Sequence, residues 1–468
     1  MLRVVVGFKK GRILLGTKSN KYEIDMCNGP IMRKLISFSV PLVLSSALQL
    51  LFNAVDIVVV GKFSGSQSLA AVGSTSALIN LMINLFIGIS LGANVMAGRY
   101  FATRREKDMS NLVHTSMTFA LLSGIIMLFV GLFFSKGALS LMGTPDDIIN
   151  LAALYMKIYF TGMPFFMVYT YGAAILRAIG DTKRPLMFLT IAGIINAVLN
   201  LILVVFFHMG VVGVAVATVV AQMISCILIL NVLFKADSSY KLQIKHLGIK
   251  MEYLSQLLKI GVPAGIQSIV ISFSNVLLQS SVNSFGSIAM AGYTAANNIF
   301  GFMFAIVNAF SQTCMCFISQ NFAAKKTKRM DKIFVQCMAL SIGVALVIGC
   351  GVYIFGDTVI GIYTTDPEVV RCGVEIFLYT TTTYFIVSIM DMIPFAMRGM
   401  GFSVAPMLLS IIGTVGTRIF WIYCVFPSHH ELDFLFISYP LSWTITVILQ
   451  AICFYFVRKK VHNILLAE

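Results

Sequence analysis

Residues Arg177–Pro185 read RAIGDTKRP, and 221 positions further on Arg398–Pro406 read RGMGFSVAP. Arginine, glycine and proline recur at the same places, with a hydroxyl residue, Thr182 or Ser403, between the last two. At nearly the same offset Phe101-Ala102 falls on Phe322-Ala323, Met109 on Met330, and the turn Thr144-Pro145-Asp146 on Thr365-Asp366-Pro367. Pro41 lies opposite Pro263, one residue out of step. An offset this constant across a 468-residue chain means two homologous halves.

Between these short polar matches lie long apolar runs. Runs of about 20 residues cross a ~30 Å hydrocarbon core as helices, and in lipid a helix pairs every backbone group within its own segment. Twelve runs qualify: 36–61, 68–98, 110–135, 148–176, 186–208, 211–234, 253–284, 288–321, 333–355, 369–397, 404–426 and 434–457. The composition agrees, since 58% of the residues are apolar and only 11% charged. So few ionic groups could not cover a soluble protein of this size.

The formal charge of +15 invites a nucleic-acid reading, but the basic residues form no patch on a soluble face. Of the 34 Lys and Arg, 29 fall in the amino-terminal tail and alternate loops. The intervening loops hold only Lys62, Lys136 and Arg371, and Lys157 and Arg418 fall within spans. The positive-inside rule then predicts that both termini face the cytoplasm, which requires an even number of spans. The nine cysteines form no CxxC, lie mostly within apolar runs, and read as small core residues.

The expected fold is therefore all-α: twelve transmembrane helices in two pseudo-symmetric six-helix bundles around a central cavity. Halves that start on the same side form a parallel repeat about an axis along the membrane normal, and rocking two such bundles exposes a cavity to either side. The expected organisation is a basic tail (1–27), an amino-terminal lobe (28–235), a cytoplasmic linker (236–252), a carboxy-terminal lobe (253–457) and a short tail (458–468). The first 25 residues hold too short an apolar run for a signal peptide. They read as a disordered tail or as a start placed ahead of Met26.

Within the runs, charge marks candidate sites, because a carboxylate near a helix centre usually faces a cavity or a partner. Asp56 lies in the first span and Asp391 in the tenth, with Glu375 nearer that span's outer end. Asn196 and Asn200 share one face of the fifth span, and Thr218 lies in the sixth. Amide and hydroxyl oxygens beside a carboxylate are what a desolvated Na⁺ needs. The same carboxylate can take a proton where a low-dielectric setting favours its neutral form. Polar side chains in the first span of each half are candidates to line the substrate cavity: Gln49 and Asn53, then Gln267, Asn275 and Gln279. A cavity rich in Met and Phe would suit varied amphipathic cations.

Together these residues resemble the multidrug and toxic compound extrusion (MATE) family over about residues 28–457. The likeness rests on Pro41 with Phe52-Asn-Ala-Val-Asp56, the Leu176–Pro185 and Arg398–Gly401 loops, Asn196-x-x-x-Asn200 and Thr218. It implies an antiporter, not an enzyme, that expels amphipathic, often cationic, organic compounds as H⁺ or Na⁺ enters. No cofactor is implied beyond the coupling ion, and the working unit is a monomer in the cytoplasmic membrane. By the same likeness Asp56 is the coupling carboxylate, and Asn196, Thr218 and the carbonyl of Val214 are Na⁺ ligands. Asn200 stands where well-studied members carry Asp, which leaves one acid in the site. Asp391 resembles the acid of members that couple in the other lobe, but their helix 7 glutamate has no counterpart in Ile266–Gln279.

The alternative within the same superfamily is a flippase for lipid-linked sugars or wall precursors. It would need several cations to hold phosphates, and only Lys157 and Arg418 lie within spans. A major-facilitator transporter fits the loop repeat less well. A membrane enzyme is disfavoured because HExxH, GxSxG and P-loop motifs are missing.

Overall fold

Backbone in lipid must pair with itself, and the chain meets that demand with helices along nearly all its described length. The computed structural model describes residues 22–364, 366–428 and 430–467. Most of the expected tail, together with Thr365 and His429, lies outside the described residues. The helices are α1 (Ile31–Phe63), α2 (Gly65–Ala102), α3 (Glu106–Leu141), α4 (Asp146–Thr161), α5 (Met163–Ala178), α6 (Lys183–Asn200) and α7 (Gly210–Lys235). After a connection of 15 residues (236–250) come α8 (Met251–Asn283), α9 (Ser287–Ala323), α10 (Thr327–Ile354) and α11 (Gly356–Gly361). They are followed by α12 (Pro367–Thr380), α13 (Tyr384–Gly399), α14 (Val404–Ser410), α15 (Thr417–Phe420) and α16 (Leu432–Ala467). Segments of π-helix continue α6 (Leu201–Phe206) and flank α15 (Ile411–Gly416 and Trp421–Val425).

Among the described residues ten helical segments are long and apolar enough to cross a membrane, or up to twelve when each of two bent pairs counts as one span. Large apolar side chains point outward, among them Phe133 (74% exposed), Phe206 (77%) and Val347 (74%). Such a surface is stable in lipid and would aggregate in water. The chain is a multi-pass membrane protein.

The bent pairs correct the expectation of single helices over 148–176 and 369–397. The α4–α5 pair bends by 48° and the α12–α13 pair by 53°. At the first joint Gly162 precedes Met163-Pro164 at the start of α5, and proline cannot donate a ladder hydrogen bond. At the second, no proline is near. The hydroxyls of Thr380, Thr381, Thr382 and Thr383 instead bond the carbonyls of Ile376, Phe377, Leu378 and Tyr379 at 2.5–2.7 Å. Back-bonding of this kind bends helices.

The repeat extends to the backbone. Gly180 (φ +99°) and Gly401 (φ +93°) both adopt the left-handed conformation. Asp181 N–H then bonds the Leu176 carbonyl, and Phe402 N–H the Met397 carbonyl, each at 2.9 Å. These are Schellman ends of α5 and α13, the form that favours glycine. The motif read from the sequence is thus a helix stop followed by a helix start. The ends of α2 and α9 match in the same way, with Arg104 (φ 52°) and Lys325 (φ 59°) left-handed.

The described residues form two compact units. One comprises Val40–Gly261 with the described residues up to Asp25, the other Met26–Ser39 with residues from Val262 onward. The first turns of α1 therefore belong with the second unit, and the first turns of α8 with the first. Within the second unit Arg329 donates to the carbonyls of Met26, Asn28 and Gly29, and Ser39 to Thr313 Oγ1.

Candidate functional site

Three helices of the first unit each bring turn-spaced residues to one place. On α1, Phe52 and Asp56 share a face; on α6, Gly193, Asn196 and Asn200 do; on α7, Val214, Thr218 and Gln222 do. Gly193 allows α1 and α6 to approach, because a Cβ there would lie 1.8 Å from the Phe52 ring. That contact, one turn before both Asp56 and Asn196, sets the carboxylate among the amides.

Asn200 Nδ2 donates to Asp56 Oδ1 and, at 3.2 Å, to Asn196 Oδ1. Asn196 Nδ2 donates to Thr218 Oγ1 at 3.4 Å. The Thr218 hydroxyl donates to the Val214 carbonyl at 3.0 Å and lies 3.5 Å from Asp56 Oδ2. Asn196 and Asn200 are buried. The structure thus brings Asp56, Asn196, Asn200, Thr218 and the Val214 carbonyl into one cluster.

In the cluster Asn200 Oδ1 is buried without a hydrogen-bond partner, and so is Gln222 Oε1, one turn beyond Thr218 on α7. An unpartnered buried acceptor costs about 1–3 kcal/mol, a cost that a cation or a donor placed there would remove. The donor set is a carboxylate, amide and main-chain carbonyls and a hydroxyl, the hard oxygen ligands that alkali and alkaline-earth ions prefer. Among the described residues no group of three His, Cys, Asp or Glu could hold a transition metal.

Tyr155 and Tyr159 of α4 lie near enough to interact with the charge of Asp56. They and Gln222 were not among the residues singled out from the sequence. Their turn spacing, four residues in each case, was the available signal, but tyrosine in an apolar run looks like packing.

In the second unit Asp391 Oδ2 accepts from Asn308 Nδ2 at 3.1 Å, and Gln312 Nε2 donates to Asn308 Oδ1 at 2.8 Å. Gln267 is buried and engaged elsewhere: it accepts from Arg398 Nη2 at 2.5 Å and donates to Ser410 Oγ at 3.0 Å. Gln450 donates to that same hydroxyl at 2.8 Å. Gln49 and Asn53 are exposed, Gln279 is half-buried, and exposed Asn275 accepts from Arg418 at 2.8 Å.

The family model for MatE matches the chain twice, over residues 41–202 and 263–424. The chain belongs to the MATE family. It is a membrane transporter by family and not an enzyme. This MATE chain is 28% identical over 439 residues to "Probable multidrug resistance protein YoeA" of Bacillus subtilis (strain 168), covering 92% of this chain and 95% of that one. It is 24% identical over 356 residues to "Multidrug export protein MepA" of Staphylococcus aureus (strain MSSA476), covering 76% and 78%. A solved outward-facing multidrug resistance MATE family transporter of the MOP superfamily superposes with a TM-score of 0.86 at 18% identity, over 97% of this chain and all of that one. That last likeness is one of fold.

Proposed function

We propose that this MATE chain exports amphipathic, often cationic, organic compounds across the cytoplasmic membrane, driven by entry of H⁺ or Na⁺ through the first unit. Both termini lie on the cytoplasmic side, in keeping with the 29-to-3 bias of basic residues between alternate loops, and one copy of the chain is the working unit. The names of the B. subtilis and S. aureus relatives support a multidrug substrate range.

The observation that carries the coupling assignment is the Asp56 cluster. It is a single carboxylate set among neutral side chains, with the buried Asn200 Oδ1 left unpartnered. A charged Asp56 favours the conformation that hydrates it. One bound monovalent cation, a proton or Na⁺, neutralises it and removes that preference. An ion shifts such an equilibrium only by its different affinity for the two states, and a buried charge neutralised by its ligand supplies that difference. Because the cluster has one acid where Asn200 replaces a second, H⁺ and Na⁺ compete for one place and do not bind together.

Transport in proteoliposomes under separately imposed pH and Na⁺ gradients tests this with a panel of cationic dyes. Asp56→Asn should insert and fold yet lose gradient-driven efflux. A mutant that exports dyes at the wild-type rate would exclude Asp56 and leave Asp391 as the candidate acid. Where H⁺ is the productive ion, added Na⁺ at fixed pH should slow efflux by wild-type protein.

A further inference from the structure

Arg418 lies within a span of the second unit and is only 3% exposed. Nε donates to Ser442 Oγ at 3.3 Å, and Nη1 to Ser274 Oγ at 3.4 Å and Asn275 Oδ1 at 2.8 Å. The guanidinium carbon lies 4.7 Å from the centre of the Tyr439 ring, whose hydroxyl is 3.1 Å from that of Tyr293. Neutral oxygens and an aromatic face are what a desolvated cation takes. Among the ion pairs of the described residues none involves Arg418.

The repeat says which place this is. α6 and α14 begin 221 residues apart, at Lys183 and Val404. The π segment Ile411–Gly416 then interrupts the second helix, whereas the first is regular α-helix through Asn200. A π-bulge takes up one extra residue, so the offset beyond it becomes 222, and the two family matches likewise end at 202 and 424. Arg418 is therefore the counterpart of Asn196. In α1 and α8 the matches begin at 41 and 263, also 222 apart. Asn53 then corresponds to Asn275 and Asp56 to Leu278, which is 1% exposed. Where the first unit has an acid and an amide, the second has a leucine and a guanidinium.

We propose that the Arg418 guanidinium is a tethered cation, occupying in the second unit the place that a free cation takes in the first. The second unit is then held permanently in its loaded form, and the gradient acts on one unit only. The correspondence of positions rests on the reading of Asp56 given above, but the chemistry at Arg418 stands without it.

Both tryptophans of the chain, Trp421 and Trp443, lie in this unit beside Arg418 and Ser442, so intrinsic fluorescence reports the site directly. Purified full-length Arg418→Ala should unfold several degrees below wild type and show altered emission. Methylguanidinium should restore both with saturable dependence, and urea, its neutral relative in shape, should not. Arg418→Lys should keep the wild-type midpoint while Arg418→Gln loses stability, a comparison that serves if the alanine variant does not fold. Rescue by urea as effective as by methylguanidinium, or a Gln variant as stable as wild type, would show that hydrogen bonding without charge suffices and would overturn the proposal. None of these readouts depends on gradient-driven transport, so a failed Asp56 assignment leaves them interpretable.

Discussion

On α6 the first unit presents an amide at position 196, and beyond its π-bulge the second presents a guanidinium at the matched position 418. Asp56 on α1 is matched by buried Leu278 on α8. The surrounding scaffold changes far less. Both units end a helix on a left-handed glycine before the proline that starts the next, and both bend their fourth span. Duplication has kept the features that cut and turn helices, which either half needs in order to fold, and has let the charge at the matched place reverse. Pseudo-symmetry of backbone is thus a poor guide to symmetry of ion chemistry. One inserted residue in a helix is enough to bring a different side chain to the site.

Giving the second unit the first unit's residues tests most directly whether the two places correspond. Leu278→Asp combined with Arg418→Asn should create a second cation site and double the Na⁺ stoichiometry measured by calorimetry. An unchanged stoichiometry, in a variant that stays folded, would mean that the positions do not correspond. A smaller effect sharpens the first unit's side. Asn200→Asp should tighten Na⁺ binding about tenfold, since a second charge a few Å away in a partly desolvated site is worth on the order of 1 kcal/mol or more. Equal affinity in Asn200→Asp, Asp56→Asn and wild type would place the cation elsewhere. Gly193→Ala should push the Phe52 ring away and cost about 1–3 kcal/mol by overpacking, seen as a lower unfolding midpoint together with weaker Na⁺ binding. The smallest effect belongs to the second unit's bend: Thr381→Val should change stability by less than about 1 kcal/mol while slowing transport under saturating dye. A transport rate equal to wild type would separate that bend from turnover.

The repeat loops, the alternation of basic loops and the apolar runs made the two halves and twelve spans legible in the sequence, because each is a property of composition at known spacing. The turn spacing of Asn196 and Asn200, and the rarity of an acid such as Asp56 in an apolar run, marked the cluster as well. The bends were not legible, since Gly162 and the four threonines Thr380–Thr383 lie inside runs that are apolar on both sides. The part of α1 that belongs with the second unit was hidden too: it depends on what Arg329 and Thr313 meet, not on any local pattern. Gln267 is a cavity candidate because it is a polar side chain in a span, but its hydrogen-bond partners could not be read from the sequence. Its partner Arg398 lies 131 positions away, and no local rule links them.

The two bent spans reach similar angles by unlike means, and this has a mechanical consequence. Pro164 removes an N–H for good, so the elbow between α4 and α5 can never be healed into an unbroken ladder. The joint between α12 and α13 contains no proline, and its threonine hydroxyls share carbonyls with the main chain, as at Phe377, whose carbonyl also accepts the Thr381 N–H at 2.9 Å. One unit has an elbow fixed by a missing N–H, and the other a joint whose backbone donors are all present. Straightening the second joint would cost no backbone donor, whereas the first has already lost one.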